Sequence, residues 1–280
     1  SEEELLDVVK DIDGIICGDD RITKRVLDAA PRLKVISKWG TGIDSIDSTE
    51  AERRGIPVYR TPNAFSEPVA DTVLGYILTF ARQLPWMHRD ISQGEWKKPP
   101  VVSLGECKLG IVGVGDCGKA IVRRAKAFGM KIYGNDILDM PKDFILESGI
   151  EMVSLTELLS TSDFISLNPD LNPTSYHIIG REQLKLMKSS AYLINTSRGP
   201  VVDESSLIDA LHSHRIAGAA LDVFEEEPLP AESPLRKMGN CLLAPHNANS
   251  SPRAWQRVHD NTVRNLLKGL HAAGELNESS

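Results

Sequence analysis

Short apolar runs alternate with amphipathic stretches along almost the whole chain, the patterning of a protein that builds strands and helices in turn. Ile12–Cys17 and Lys34–Ser37 predict strands, and Pro57–Tyr59 a third, shorter one. Between them Thr23–Ala30 and Ser48–Arg54 have helical spacing, the second closed by Gly55. This makes a small α/β unit whose sheet is expected to be parallel. Glu67–Leu84 reads as a long helix, with Val69, Val73, Tyr76, Ile77 and Phe80 recurring on one face. Ser66 suits its N-cap, Pro68 its first turn, and Pro85 is expected to end it. From Cys107 the apolar runs return at the interval of βα units: Leu109–Val112, Lys131–Tyr133, Phe164–Leu167, Ala191–Ile194, Ala217–Leu221 and Cys241–Leu243. Helical stretches such as Lys119–Phe128 and Ser205–His212 lie between them. Six strands with crossovers predict a doubly wound parallel sheet. The tail, Pro252–Ala273, is helical again and is expected to pack back on the first unit. The expected organisation is a small α/β domain of residues 1–63, a doubly wound domain of residues 64–248, and a return of residues 249–280 to the small domain, with a cleft between the two lobes.

Charge narrows the partners. The 280 residues carry 32 Lys and Arg against 39 Asp and Glu, a net charge of −7. Nucleic acid is therefore not expected as a partner, since phosphate binding needs clustered cations. A small anion, held by a few local cations, remains open. Cys17, Cys107, Cys117 and Cys241 are far apart and form no Cys-x-x-Cys pair, so a reduced, cytoplasmic protein without disulfides or a bound metal is expected. The longest nearly apolar stretch, Val73–Ala81, is too short to span a bilayer, so no membrane partner is expected. The acidic start Ser1-Glu2-Glu3-Glu4 lacks the basic region of a signal peptide, and without an initiator Met a processed or truncated chain is expected.

The first chemical signal is Gly113-Val114-Gly115-Asp116-Cys117-Gly118, a G-x-G-x-x-G placed after a predicted strand and before a predicted helix. Alone the pattern is weak; in this context it is the turn of a Rossmann domain. Gly113 permits the tight turn, Gly115 lets backbone approach a pyrophosphate, and Gly118 allows close helix–strand packing. The helix that follows aims its free N–H groups and positive dipole end at the phosphates. Asp136, 18 positions after Gly118, can accept bonds from an adenosine ribose and would repel a 2′-phosphate, which predicts NAD rather than NADP. Cys117 sits where a helix N-terminus can lower a thiol pKa, although an inert loop residue is the simpler reading.

Three further segments follow predicted strands of the same sheet, where ligands bind in such folds. They are Asn195-Thr196-Ser197-Arg198-Gly199, Asp222-Val223-Phe224-Glu225-Glu226-Glu227-Pro228, and Ala244-Pro245-His246-Asn247-Ala248-Asn249. An Arg beside Gly can offer its planar fork to a carboxylate. A His at a strand end can serve as general acid–base near neutral pH. Each also has a plain reading: Arg198 as a surface charge, Glu225–Glu227 as a solvated acidic loop, His246 as a turn residue.

Taken together, these motifs resemble the D-isomer-specific 2-hydroxyacid dehydrogenase family, especially its phosphoglycerate-dehydrogenase-like members, from about Ile12 to the final helix. The resemblance implies a Rossmann domain joined to a smaller flavodoxin-like substrate domain, and hydride transfer between NAD(H) and a small D-2-hydroxy acid or 2-keto acid. It implies that Arg198 binds the substrate carboxylate, that Glu227 pairs with a catalytic His246 and favours its charged form, and that Asp222 lies near the nicotinamide carboxamide. Gly113, Gly115, Asp116, Cys117, Gly118, Asp136, Asn168, Thr196 and Ser197 are the other residues expected to hold the cofactor. Lys38-Trp39-Gly40-Thr41-Gly42 resembles the family's substrate loop, with Lys38, Gly40, Thr41 and Gly42 as expected substrate contacts. The lean is to 3-phosphoglycerate, glycerate or glycolate. Family members commonly dimerise through the long helix, which the exposed-looking Trp86 and Trp96 fit, so a homodimer is expected. Three positions depart from the family's usual pattern: Asp71 where Glu is commoner, Asn168-Pro169-Asp170 for a His-x-Pro, and Asn247-Ala248-Asn249 after the His. The family's opening strand and helix have no counterpart before residue 1, so the first lobe is expected to lack a strand. Two alternatives stay open: a non-catalytic NAD(H)-binding scaffold of the corepressor kind, and a dehydrogenase of formate or phosphite.

Overall fold

The computed structural model describes residues 2–274. The chain divides into two compact units, one holding the residues up to Phe65 and those from Ser250 onward, the other Ser66–Asn249. In the first, α1 (Glu2–Val8), β1 (Gly14–Cys17), α2 (Lys24–Ala29), β2 (Val35–Lys38), α3 (Ser48–Arg53) and β3 (Val58–Tyr59) alternate. The three strands pair in parallel in the order β1-β2-β3. β2, with a neighbour on each side, is buried at all four positions. Local chemistry starts the helices: the Thr23 hydroxyl accepts from the Val26 N–H, and the Asp47 carboxylate from the Glu50 N–H. Each bond satisfies a donor that has no partner within the first helical turn.

In the second unit α4 (Ser66–Arg82) and α5 (Leu84–Ser92) lead into β4 (Lys108–Val112), α6 (Asp116–Ala127), β5 (Lys131–Asn135) and α7 (Lys142–Ser148). The chain continues through β6 (Glu151–Met152), α8 (Leu155–Thr161), β7 (Phe164–Leu167), α9 (Arg181–Leu186), β8 (Tyr192–Asn195), α10 (Glu204–His212), β9 (Gly218–Leu221) and β10 (Cys241–Leu243). All pairings are parallel, in the order β10-β9-β8-β7-β4-β5-β6. This is the doubly wound sheet the pattern predicts, with one strand more. The extra strand, β6, is two residues long and at the edge, too short for periodicity to register. Strand order reverses between β4 and β7, which is where doubly wound sheets bind their ligands.

Register sharpens that point. Val112 pairs with Asn135 and Leu167, Leu167 with Asn195, Asn195 with Leu221, and Leu221 with Leu243. The carboxyl ends of six strands thus form one row across the sheet, and the glycine loop and the three later segments all leave from it.

Two expectations about the helices change. Gln83 adopts φ of 51° and breaks the long helix, and Pro85 sits in the first turn of α5 rather than ending α4. A proline is tolerated there because no helical partner awaits its missing N–H. Trp86 is not free surface: its ring stacks on Phe80 (5.8 Å), which stacks on Tyr192 (4.3 Å). Trp96, by contrast, is 81% exposed. The departure at Asp71 has a use, since Asp71 and Glu67 of α4 hold Arg124 of α6 at 2.7 and 2.6 Å. α11 (Pro252–Ala272) belongs to the first unit and packs on β1, β2 and β3, burying Ala254, Val258, Thr262 and Gly269. No helix among the described residues is long and apolar enough to cross a membrane.

Candidate active site

The switch point is tightly built. Gly113 has φ of 85°, and a Cβ there would stand 2.7 Å from the Pro169 nitrogen and 2.9 Å from the Asn168 carbonyl carbon. The turn after β4 therefore lies backbone against backbone on the turn after β7, which only glycine allows. Gly115 is exposed with nothing within 4 Å of a Cβ position, so the space ahead of α6 is open. Asp116 is exposed at the first position of α6. Asp136, after β5, accepts from the Val114 N–H at 2.6 Å and the Leu138 N–H at 2.9 Å, tying the glycine loop to its own turn. A carboxylate offers about four acceptor directions, so two such bonds leave it able to accept more. The Asn168 amide donates to the Ser166 carbonyl at 3.1 Å. The Thr196 hydroxyl is buried without a hydrogen-bond partner among the described residues, a costly state that a polar ligand atom would relieve. An open helix N-terminus, an acid at the end of β5 and this hydroxyl at the end of β8 together fit a dinucleotide. Cys117 behaves differently from what its place on the helix suggests: burial pushes its thiol pKa up, outweighing a weak contact with the Ser66 hydroxyl at 3.9 Å.

Arg198, Glu227 and His246 follow β8, β9 and β10, three consecutive neighbours in the sheet. Asn195 shapes the first loop. Its Oδ1 accepts from the Ser197 N–H (3.1 Å) and hydroxyl (2.9 Å), and its Nδ2 donates to the Arg198 carbonyl (2.9 Å). Such an Asx turn sets the backbone from which the guanidinium extends; Arg198 Nη1 also donates to the Ser197 carbonyl at 2.8 Å. Gly199 then lies flush on the next loop, since a Cβ would stand 1.9 Å from the carbonyl carbon and oxygen of Phe224. Gly199→Ala is expected to cost about 3 kcal/mol through overpacking. Thermal unfolding should read this as a Tm lowered by roughly 6–12 °C. An unchanged Tm would mean that the two loops do not touch as described.

The His246 loop hangs on Asp222. That carboxylate is buried and accepts from the backbone N–H groups of Asn247 (2.9 Å) and Ala248 (2.8 Å), while the His246 N–H donates to the Asp222 carbonyl at 2.7 Å. Burial raises the Asp222 pKa, and the two backbone donors work against that rise. His246 itself adopts φ of 51°, an uncommon conformation that these bonds hold in place. Its Nδ1 stands 2.8 Å from Glu227 Oε2, and Glu227 Oε1 accepts from the Phe224 N–H at 3.0 Å. With Nδ1 facing the carboxylate, Nε2 lies on the opposite edge of the ring. Sequence reasoning placed Asp222 beside the cofactor and missed its anchoring of this loop. It also missed His177, whose Nε2 is 2.7 Å from Glu225 Oε1. Glu225 is thus braced rather than part of a loosely solvated run, and with a partner 48 residues away no local signal could show it.

In the first unit the Gly40-Thr41-Gly42 loop follows β2. The Thr41 hydroxyl donates to the Thr61 carbonyl at 2.9 Å, and the Thr61 N–H to the Gly40 carbonyl at 2.8 Å. Lys38 corrects an expectation. Its side chain is only 3% exposed, and its ammonium donates to the Gly18 carbonyl and to Asp19 (3.0 Å). The last residue of a buried central strand carries its charge inward to the neighbouring strand end, so Lys38 is not placed to greet an anion from solvent.

Comparison with known proteins agrees with this architecture. Residues 74–248 match the family model described as the D-isomer specific 2-hydroxyacid dehydrogenase, NAD binding domain. The chain belongs to the D-isomer specific 2-hydroxyacid dehydrogenase family and is an NAD-binding dehydrogenase of that class. It is 42% identical over 274 residues to a glyoxylate reductase of Korarchaeum cryptofilum, covering 95% of this chain and 82% of that protein. It is 39% identical over 283 residues to a D-3-phosphoglycerate dehydrogenase of Methanocaldococcus jannaschii, covering all of this chain but 53% of that protein. Among solved structures it resembles the D-lactate dehydrogenase of Aquifex aeolicus complexed with NAD and lactic acid, with a TM-score of 0.88 and 29% identity, covering 98% of this chain and 87% of that one.

Proposed function

We propose that this chain reduces glyoxylate or a 2-keto acid of similar size with NADH, and catalyses the reverse oxidation of glycolate or the corresponding D-2-hydroxy acid. The observation that carries the proposal is the 2.8 Å pair of His246 Nδ1 and Glu227 Oε2, on loops that leave neighbouring strands beside the Arg198 loop. The turn from Gly113 to Gly118 and the open end of α6 hold the pyrophosphate, Asp136 the adenosine ribose, and Asn168, Thr196, Ser197 and Asp222 line the rest of the row. When bound, NAD(H) supplies or accepts the hydride. Arg198 takes the substrate carboxylate in its planar fork. His246 Nε2 gives its proton to the carbonyl oxygen as reduction makes it an alcohol, and takes a proton back in the oxidative direction. Glu227 favours the charged ring before that transfer and fixes its orientation. In the first unit the backbone N–H groups of Gly40, Thr41 and Gly42 offer a further set of donors suited to a carboxylate.

The acid at Asp136 repels a 2′-phosphate, which favours NAD over NADP. Lys38, paired with Asp19, weighs against a phosphorylated substrate and toward glyoxylate, glycolate or glycerate. Leu84 and Ile91 of α5, and Trp96 beyond it, expose 56%, 52% and 81% of their surfaces, and these uncovered apolar side chains favour a homodimer. NADH oxidation with glyoxylate, hydroxypyruvate, pyruvate and phosphohydroxypyruvate tests the reading. Turnover is expected with glyoxylate or hydroxypyruvate above phosphohydroxypyruvate. NADH binding without turnover of any of the four would defeat it.

A further inference from the structure

The Gly40-Thr41-Gly42 loop has little side chain of its own to pack, so its conformation depends on what holds its ends. Trp39, directly before it, is held by two rings. Its centroid is 5.5 Å from that of Phe65 and 5.5 Å from that of His259 on α11. The second contact is also a directed bond, with Trp39 Nε1 2.8 Å from His259 Nδ1. An indole N–H can only donate, so Nδ1 of His259 is the acceptor and the ring proton sits on Nε2. The same helix supports the far side of the loop. Asn261 Nδ2 donates to the Thr61 hydroxyl at 3.0 Å. Thr61 in turn holds Gly40 and Thr41 through its own N–H and carbonyl. Arg257 donates to the Ala64 carbonyl at 2.5 Å. α11 therefore packs an apolar face on the strands and uses polar side chains to set the backbone of this loop.

We infer that His259 is a positioning residue for substrate binding: through the Trp39 indole N–H it fixes the Gly40-Thr41-Gly42 backbone, and with it the affinity for the 2-keto acid carboxylate. The inference rests on the proposed function, in which that loop receives the carboxylate. Donors aimed at an anion lose affinity when displaced by a fraction of an ångström, so one bond at the entrance of the loop reaches the substrate without touching it. The His259 ring bonds to Trp39, which leads into this loop, so its effect is expected on the keto acid.

The test compares His259→Leu, which keeps bulk but has no acceptor, with His259→Gln, whose side-chain carbonyl can accept the indole N–H. His259 is exposed, so both variants are expected to fold. His259→Leu should raise KM for glyoxylate about three- to ten-fold, as the loss of one hydrogen bond between neutral groups implies, with kcat and KM for NADH changed less than about two-fold. His259→Gln should return KM toward that of the unaltered protein. The Trp39 indole N–H resonance, assigned with Trp39→Phe, should move in His259→Leu and stay in His259→Gln. Oxalate binding in the presence of NADH reads the same loop without turnover, so it still decides if the protein reduces no keto acid. Weakened binding in His259→Leu with recovery in His259→Gln supports the inference even then. Equal affinity in all three proteins, or a Gln variant no better than the Leu variant, overturns it.

Discussion

His246→Ala is expected to lower kcat for glyoxylate reduction by about 10²–10⁴, the worth of a positioned proton donor. NADH should bind to the variant as before, because the cofactor row draws on other loops. The two nearby carboxylates are already engaged. Glu227 is committed to the Phe224 N–H and to the imidazole, and Asp222 to the backbone of Asn247 and Ala248. Removing the ring also leaves the fold intact, since the loop is held by main-chain bonds to Asp222 rather than by the imidazole. Stopped-flow measurement of NADH oxidation, with NADH affinity followed by fluorescence, separates the two effects. Near-normal turnover would remove His246 from the chemistry.

Arg198→Gln is the second large effect. A guanidinium that grips a carboxylate makes two charge-assisted bonds, each worth about 1.5–3 kcal/mol, so kcat/KM for the keto acid should fall by about 10²–10⁴. The turn that presents Arg198 is made by Asn195 and its own backbone, so replacing the side chain does not undo it. Arg198→Lys should recover only part of the loss, because an ammonium restores the charge without the fork. The KM for NADH should not move in either variant. Steady-state kinetics with glyoxylate as the varied substrate give the answer, and a kcat/KM within about three-fold of the unaltered protein would assign the carboxylate to another group.

Much of this architecture is legible in the sequence itself. Strand-like runs at βα intervals imply the parallel sheet, and the glycine turn marks the strand at which its order reverses. The segments holding Arg198, Glu227 and His246 could likewise be seen to follow strands. That their strands are consecutive neighbours, with ends in one register, is a property of topology that no local pattern carries. The misses share a cause. Gly199 is required by the Phe224 carbonyl, Asp222 is used by Asn247 and Ala248, and Lys38 is drawn in by Gly18 and Asp19. Each is a contact between segments distant in sequence, so residue type shows the chemical capacity and only the fold shows where it is directed. The break at Gln83 is a local matter, yet the apolar spacing runs on through it and hides it.

In the proposed mechanism one group, His246 paired with Glu227, gives the proton in reduction and takes it in oxidation. The most direct test is the pH dependence of kcat/KM in both directions. Reduction needs the charged ring and should fall as pH rises through its pKa; oxidation needs the neutral ring and should fall as pH drops through the same value. Glu227→Gln removes the carboxylate that favours the charged form, so both limbs should move to lower pH together. Profiles that are not mirror images, or that stay in place when Glu227 is replaced, would assign the proton to another group.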